Sequence, residues 1–254
     1  MRRRTKTTAA SAPRRRSGVA AVAAALPLVV SMIPAGGLPS ARGSSATNVQ
    51  CGVHCGKERW PLKTLSDAGA TEVSFAPVPT TVSSLISILA PDSGGDERLS
   101  NIEKQTFIIR AKLVGFKREF KSGKGDRDFH IVLQDLNTDE TMIVEIPDPE
   151  CDGVCNSIAR DRIVHAREQF LAAFPDNPPG SQFVMLDDPF PEVEVTGVGL
   201  FDFFHGQTGV ARNCLELHPV LDIKFPPPGT FNAKHDPARQ PKPADESEHQ
   251  CIPE

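Results

Sequence analysis

His130, Glu145, His205 and His218 are of the residue types that bind a divalent metal or exchange protons. Imidazole nitrogens with a carboxylate form a nitrogen/oxygen donor set suited to zinc or another transition metal, and the same groups can work as general acid and base. None shows the local spacing of a helix-borne metal motif such as H-E-x-x-H, so their convergence depends on how strands pair. The stretch FFHGQTGVARNCLELHPVLDI, residues 203–223, sets His205 and His218 around a turn in which Gly206 and Gly209 permit positive φ. Glu216 falls on the same strand face as His218, where a carboxylate stabilises the charged ring and raises its pKa. No G-x-S-x-G, P-loop or dinucleotide fingerprint is present.

Six cysteines form a second candidate constellation. CGVHC (51–55) and CDGVC (151–155) repeat one spacing, and Cys214 and Cys251 stand apart. Four thiolates with His54 nearby could hold zinc, but in an oxidising compartment disulfides are the expected outcome. The pairing expected here is Cys51 with Cys55, Cys151 with Cys155, and Cys214 with Cys251.

The compartment follows from the first 43 residues. A basic region, MRRRTKTTAASAPRRRS, precedes an alanine-rich apolar run and the small-residue exit GGLPSARG, which reads as an export signal over residues 1–43. Pro27 and Pro34 interrupt the apolar run, so no stable membrane span is expected once the signal is removed. Arg14 to Arg16 point to the twin-arginine route, with the general secretory route left open. The expected location is secreted or in the cell envelope. Losing the eight basic residues of 1–42 takes the formal charge from −4 to −12. An acidic body has no general attraction for nucleic acid.

The elements that must position these groups are strands. Residues 44–56 form a Gly/Ser/Thr-rich linker, residues 57–103 an arm with a short helix capped by Thr80 or Thr81, and residues 226–254 a proline-rich tail too poor in aliphatics to order itself. Between them lies a domain over 104–225. QTFIIRAKLVGFKREF reads as a strand; RDFHIVLQD alternates with Phe129, Ile131 and Leu133 on one face, and TMIVEIPDP with Met142, Val144 and Ile146. Centring the hairpin on DLNTDE pairs Phe129 with Ile146, Ile131 with Val144 and Leu133 with Met142, which puts His130 beside Glu145 on the other face. SIARDRIVHAREQFLAAF has helical spacing at Ile158, Ile163, Ala166, Phe170 and Ala173, with Asn156 or Ser157 as cap. VEVTGVGLFDFF, bent at Gly197 and Gly199, and CLELHPVLDIKF supply two more strands. Three strands, a helix and two strands make a mainly β chain in the order of the OB-fold, a five-stranded Greek-key barrel with its helix between strands three and four. A mixed sheet with the helix across one face is the other arrangement.

Such barrels bind on the face of strands two and three and through the loops joining strands one to two and four to five. Those are the Asp128, His130, Glu145 face, the KREFKSGKGDRD loop and the FHGQTGVARN loop, with His205 and Gln207 at its rim. Arg59 and Lys63 in the arm either line this cleft for an anionic group or clamp the arm, with Trp60 as its apolar anchor. The chain has no tyrosine, one tryptophan, and acids on the strand face where a stacking platform for bases should be; the cations Lys117, Arg118, Lys121, Lys124 and Arg127 supply the one basic patch.

The blocks ERWPLKTLSD, DFHIVLQD, TMIVEIPDP, VTGVGLFDFFHGQTGVARN and LELHPVLDI together resemble an uncharacterised family of exported bacterial proteins with an OB-like domain, over residues 55–223. The family pattern has Pro and Gly near Arg212 and Cys214; the departure here favours a local disulfide at Cys214. The resemblance implies export and no particular activity. The leading expectation is an extracytoplasmic domain, without a cofactor, that binds a small ligand, glycan or envelope protein. The alternatives are a metal-dependent hydrolase of the phosphodiesterase or nuclease class, built on His130, Glu145, His205 and His218 with zinc or another divalent ion, and a purely structural envelope protein.

Overall fold

The computed structural model describes residues 52–119, 125–227 and 246–253. The export segment, Cys51, Lys121 and Lys124 lie outside them. The main elements in chain order are α1 (Trp60–Lys63), β1 (Ser74–Thr80), α2 (Val82–Ile86), β2 (Gln105–Arg118), β3 (Phe129–Gln134), β4 (Thr141–Ile146), α3 (Asp152–Cys155), α4 (Arg160–Ala173), β5 (Val184–Met185), β6 (Glu192–Phe201) and β7 (Leu215–Lys224).

Strand β2 is long enough to serve two neighbours in succession. Its first half pairs with β6, from Thr106↔Val198 to Lys112↔Glu192, and its second half pairs with β3, ending at Arg118↔Phe129. That double pairing closes the sheet into a five-strand barrel, β2-β3-β4-β7-β6 and back to β2. All of its contacts are antiparallel except β4 on β7, joined through Val144↔Leu217. The hairpin register is the one that the alternation dictates, with Phe129↔Ile146, His130↔Glu145, Ile131↔Val144 and Leu133↔Met142. Register shifts at Gly197 and Gly199 bend β6 against β7.

Ile109, Leu113, Ile131, Leu133, Met142, Val144, Val195, Leu217 and Ile223 fill the core. Helix α4 packs onto it through Ile163, Ala166 and Phe170, with Phe170 edge-on to Phe116 at 5.0 Å between ring centroids. The helix starts later than the spacing suggests: Ile158 precedes it and is 50 % exposed. Its N-cap is Ala159, with no side-chain cap, rather than Asn156 or Ser157; the Ser157 hydroxyl accepts from the Ala159 amide at 3.0 Å. In α2 the cap is Thr81, which accepts from the Ser84 amide.

Four features differ from the sequence reading. SFAPVPT is a strand, β1, laid parallel on β2; Pro77 and Pro79 can sit there because one of its edges is unpaired. The second is at the supposed linker, whose end is joined to the domain: Val53, though exposed, bridges to Cys151, and Cys55 is buried. The third is the end of the tail, where Ile252 is buried and Cys251 bonds Cys214 as expected. Fourth, the repeated C-x-x-x-C units do not close on themselves, since Cys55 bonds Cys151 across 96 residues. Cys151 and Cys155 flank a helical turn, and neighbours four apart on a helix hold their Cβ atoms about 5–6 Å apart, beyond disulfide reach. Cys155 is itself disulfide-bonded. With no free thiol among the described residues, the described cysteines are disulfide-bonded and offer no thiolate.

Candidate functional site

The β3–β4 register that sends Ile131 and Val144 into the barrel sends His130 and Glu145 outward. Leu217 on β7 pairs with Val144, so Glu216 and His218 share that outer face. Yet this face is buried, with His130 and His218 fully covered and Glu145 only 7 % exposed. Two covers account for it: the arm around α1 and the loop from Asp202 to Cys214.

The arm is fastened at several points. Trp60 packs with the Cys55–Cys151 disulfide. The Arg59 guanidinium donates to both carboxylate oxygens of Glu103, at 2.6 and 2.9 Å, and to the carbonyls of Gly95 and Glu97. A bidentate, fully buried pair of this kind fixes geometry. Arg59 therefore clamps the arm, away from the histidines. Lys63, one helical turn on, reaches the site and donates to Asp202 at 2.9 Å. The loop is fastened by Gly209, whose positive φ brings it onto Val132 of β3.

Both histidines are held from two sides. His130 Nε2 donates to the Thr208 carbonyl at 2.8 Å, and Nδ1 lies 2.8 Å from Glu145 Oε1 and 3.8 Å from Glu119 Oε1. His218 Nδ1 lies 2.9 Å from Glu216 and 3.4 Å from Glu145. On the other side of that ring, Nε2 faces Asp128 at 3.1 Å, out of line for a good hydrogen bond. A ring flanked by carboxylates at both nitrogens is best satisfied as imidazolium. Burial works against the charge of His218, but Asp128, Glu216 and Glu145 override it and push its pKa up to about 10. His130 moves up in the same way, burial being outweighed by Glu145. Glu145 goes the other way: burial would raise it, but the His130 hydrogen bond and the charges of His218 and Lys63 bring it down to about 2.

Outside this cluster opens a cleft of about 200 Å³, lined by the arm, both loops and the strand face. Its acids are Glu58, Glu119, Asp126, Glu145, Asp202 and Glu216; its cations are Lys57 and Lys63, and His205 and Gln207 stand on the rim. Burial, with Asp128 and Glu145 nearby, raises Asp126 to about 8. Burial, with Asp202 and Glu145, raises Glu216 to about 7. No family model, curated protein or solved structure matches the chain. The function must be argued from this geometry alone.

Three of the four sequence candidates meet: His130, Glu145 and His218, with Asp128 behind them. His205 does not join them, because it is exposed at the rim, where its amide donates to the Gln207 side chain. Of the cations in and beside the β2–β3 loop, the described ones are engaged, Lys117 by Glu119, Arg118 by Asp148 and Arg127 by Glu150. Asp202 and Asp126 were missed. The signal for Asp202 was present, since an acid between Phe201 and Phe203 in a strand-end apolar run needs a buried partner. For Asp126 there was none, because loop acids are ordinarily solvated.

Proposed function

We propose that the protein is an extracytoplasmic OB-like binding domain whose cleft receives a small ligand carrying positive charge. The strand order β2-β3-β4-β7-β6, with its single parallel contact between β4 and β7 and with α4 following β4 in sequence, supports the OB-like reading. Disulfides fit an oxidising compartment, and among the described residues no helix is long and apolar enough to cross a membrane. The observation that carries the ligand class is the lining: six acidic side chains against two lysines, with Asp126 and Glu216 gaining their charge as pH rises through about 8 and 7, in a recess bounded by the arm and loops. Low-dielectric walls strengthen the attraction of such a recess for a cation and repel an anion. Asp202 adds to it, since one of its oxygens takes Lys63 and the other is buried without a partner.

Isothermal titration of the full chain with putrescine and with succinate tests the proposal. Putrescine should bind, more weakly as salt rises, and more weakly to Glu58→Gln, which alters only an exposed lining residue. Succinate should not bind. Equal heats from the two, or none from putrescine, would remove the proposal.

A further inference from the structure

We infer that the inner wall of the cleft is a divalent-metal site, with His130 Nδ1, Glu145 and Glu119 as ligands for a first-row ion such as zinc. The inference rests on the reading of the cleft as a cation-binding recess and gives that recess a second, inorganic occupant.

Two triads of potential ligands share Glu145, and geometry separates them. In each, one atom per residue lies within 4.8 Å of the others: Glu119, His130 and Glu145 in the first, Asp128, Glu145 and His218 in the second. The second is poorly built for an ion. Its ring is clasped from opposite sides, with Asp128 at Nε2 and Glu216 and Glu145 at Nδ1, so its close carboxylate contacts are divided between the two nitrogens. In the first, all the donors lie on one side of the ring. Nδ1 faces Glu145 Oε1 at 2.8 Å and Glu119 Oε1 at 3.8 Å, separations compatible with ligands sharing one coordination sphere at bond lengths of about 2.0–2.2 Å.

The opposite nitrogen fixes which atom can ligate. Nε2 meets the Thr208 carbonyl, which can only accept, so Nε2 carries a hydrogen and Nδ1 is the nitrogen left to bind. A backbone carbonyl orienting the far nitrogen is the usual outer support of a metal-bound histidine. Nδ1 faces two carboxylate oxygens, and a metal ion would sit on that side of the ring. Glu119 already collects a cation, its Oε1 lying 2.7 Å from Lys117 Nζ. Glu119 and Glu145 also line the cleft, so an ion there has a path in and room for water or ligand at its remaining positions. Asp202, one of whose oxygens is buried without a partner, belongs to the same lining. One imidazole with two carboxylates suits zinc or manganese better than calcium, which prefers an all-oxygen shell.

The experiment is zinc titration of the untagged full chain, with elemental analysis after desalting, on wild type, Glu119→Gln and His130→Gln. Wild type should hold one zinc per chain, and Glu119→Gln should bind it at least about tenfold more weakly. His130→Gln should lose it. Because His130 is buried, circular dichroism is recorded for each variant; if His130→Gln does not fold, Glu119→Gln, whose side chain is 26 % exposed, still decides. Sub-stoichiometric zinc in wild type, or unchanged affinity in Glu119→Gln, overturns the site. Putrescine titrated into metal-free protein separates the two readings. If putrescine binds while zinc does not, the metal site falls and the cation-binding cleft stands; if neither binds, both fall.

Discussion

Lys63 shows how closely stability and function are tied in single side chains. It is buried against Asp202, and although burial alone would lower its pKa, the Asp202, Glu216 and Glu145 carboxylates raise it. Lys63→Met leaves those acids uncompensated in a covered site, which should cost about 3–5 kcal/mol, read as a shift in the urea midpoint. The pH dependence follows from the neighbouring groups. His218, raised to about 10, stabilises the fold fully below the unfolded histidine pKa of 6.5, and this is lost as pH rises through 10. Asp126 and Glu216, raised to about 8 and 7, also favour the fold at lower pH, since the unfolded chain gives up those protons more readily. Glu145, lowered to about 2, contributes above its ordinary 4.5 and is lost as pH falls through 2. Stability should therefore peak near pH ~5 and decline toward alkaline pH. Putrescine affinity should move oppositely, tightening from pH ~5 to ~9 as Asp126 and Glu216 ionise. Urea midpoints and titrations at the same pH values check both, and parallel trends would contradict the assignment.

At the level of elements, the loop from Asp202 to Cys214 turns the outer face of the barrel into a site. Gly209 has a φ of 79°, and a Cβ there would run into the Val132 side chain. Gly209→Ala should cost about 1–3 kcal/mol in stability. It should also weaken cleft binding, because Thr208, whose carbonyl holds the His130 ring, is the preceding residue. Unchanged binding in a destabilised variant would separate the loop from the site. Much of this level was legible in the sequence. Period-two alternation fixed the β3–β4 register down to His130 opposite Glu145, and Gly206 with Gly209 marked the turn. Strand β1 was not legible, because its pattern is almost wholly exposed and two prolines interrupt it. Nor was the burial of the His130 face: alternation says which residues point outward but not that an arm 70 positions earlier will cover them.

In the described residues, the arm and the end of the tail are each held to the barrel domain by a disulfide. The Cys55–Cys151 bond ties the arm beside α3, and Cys214–Cys251 ties the end of the tail to the loop that covers His130. Spacing alone favoured local closure of each C-x-x-x-C. The long pairing belongs instead to the path of the chain, which runs residues 52–56 alongside Cys151. The barrel needs neither bond to close, since its five strands pair around the full ring without the arm or the tail. Reduction should therefore loosen the covers before the core. Limited proteolysis with and without reductant reads this directly: with reductant, cuts should appear first within 52–58 and 246–253, while a fragment spanning 105–224 persists. Putrescine binding should fall over the same interval, because Gly56, Lys57, Glu58 and Lys63 form one wall of the cleft. If the barrel is degraded at the same rate as the ends, the disulfides hold the core itself, and the cleft is not a separable layer built over a self-sufficient barrel.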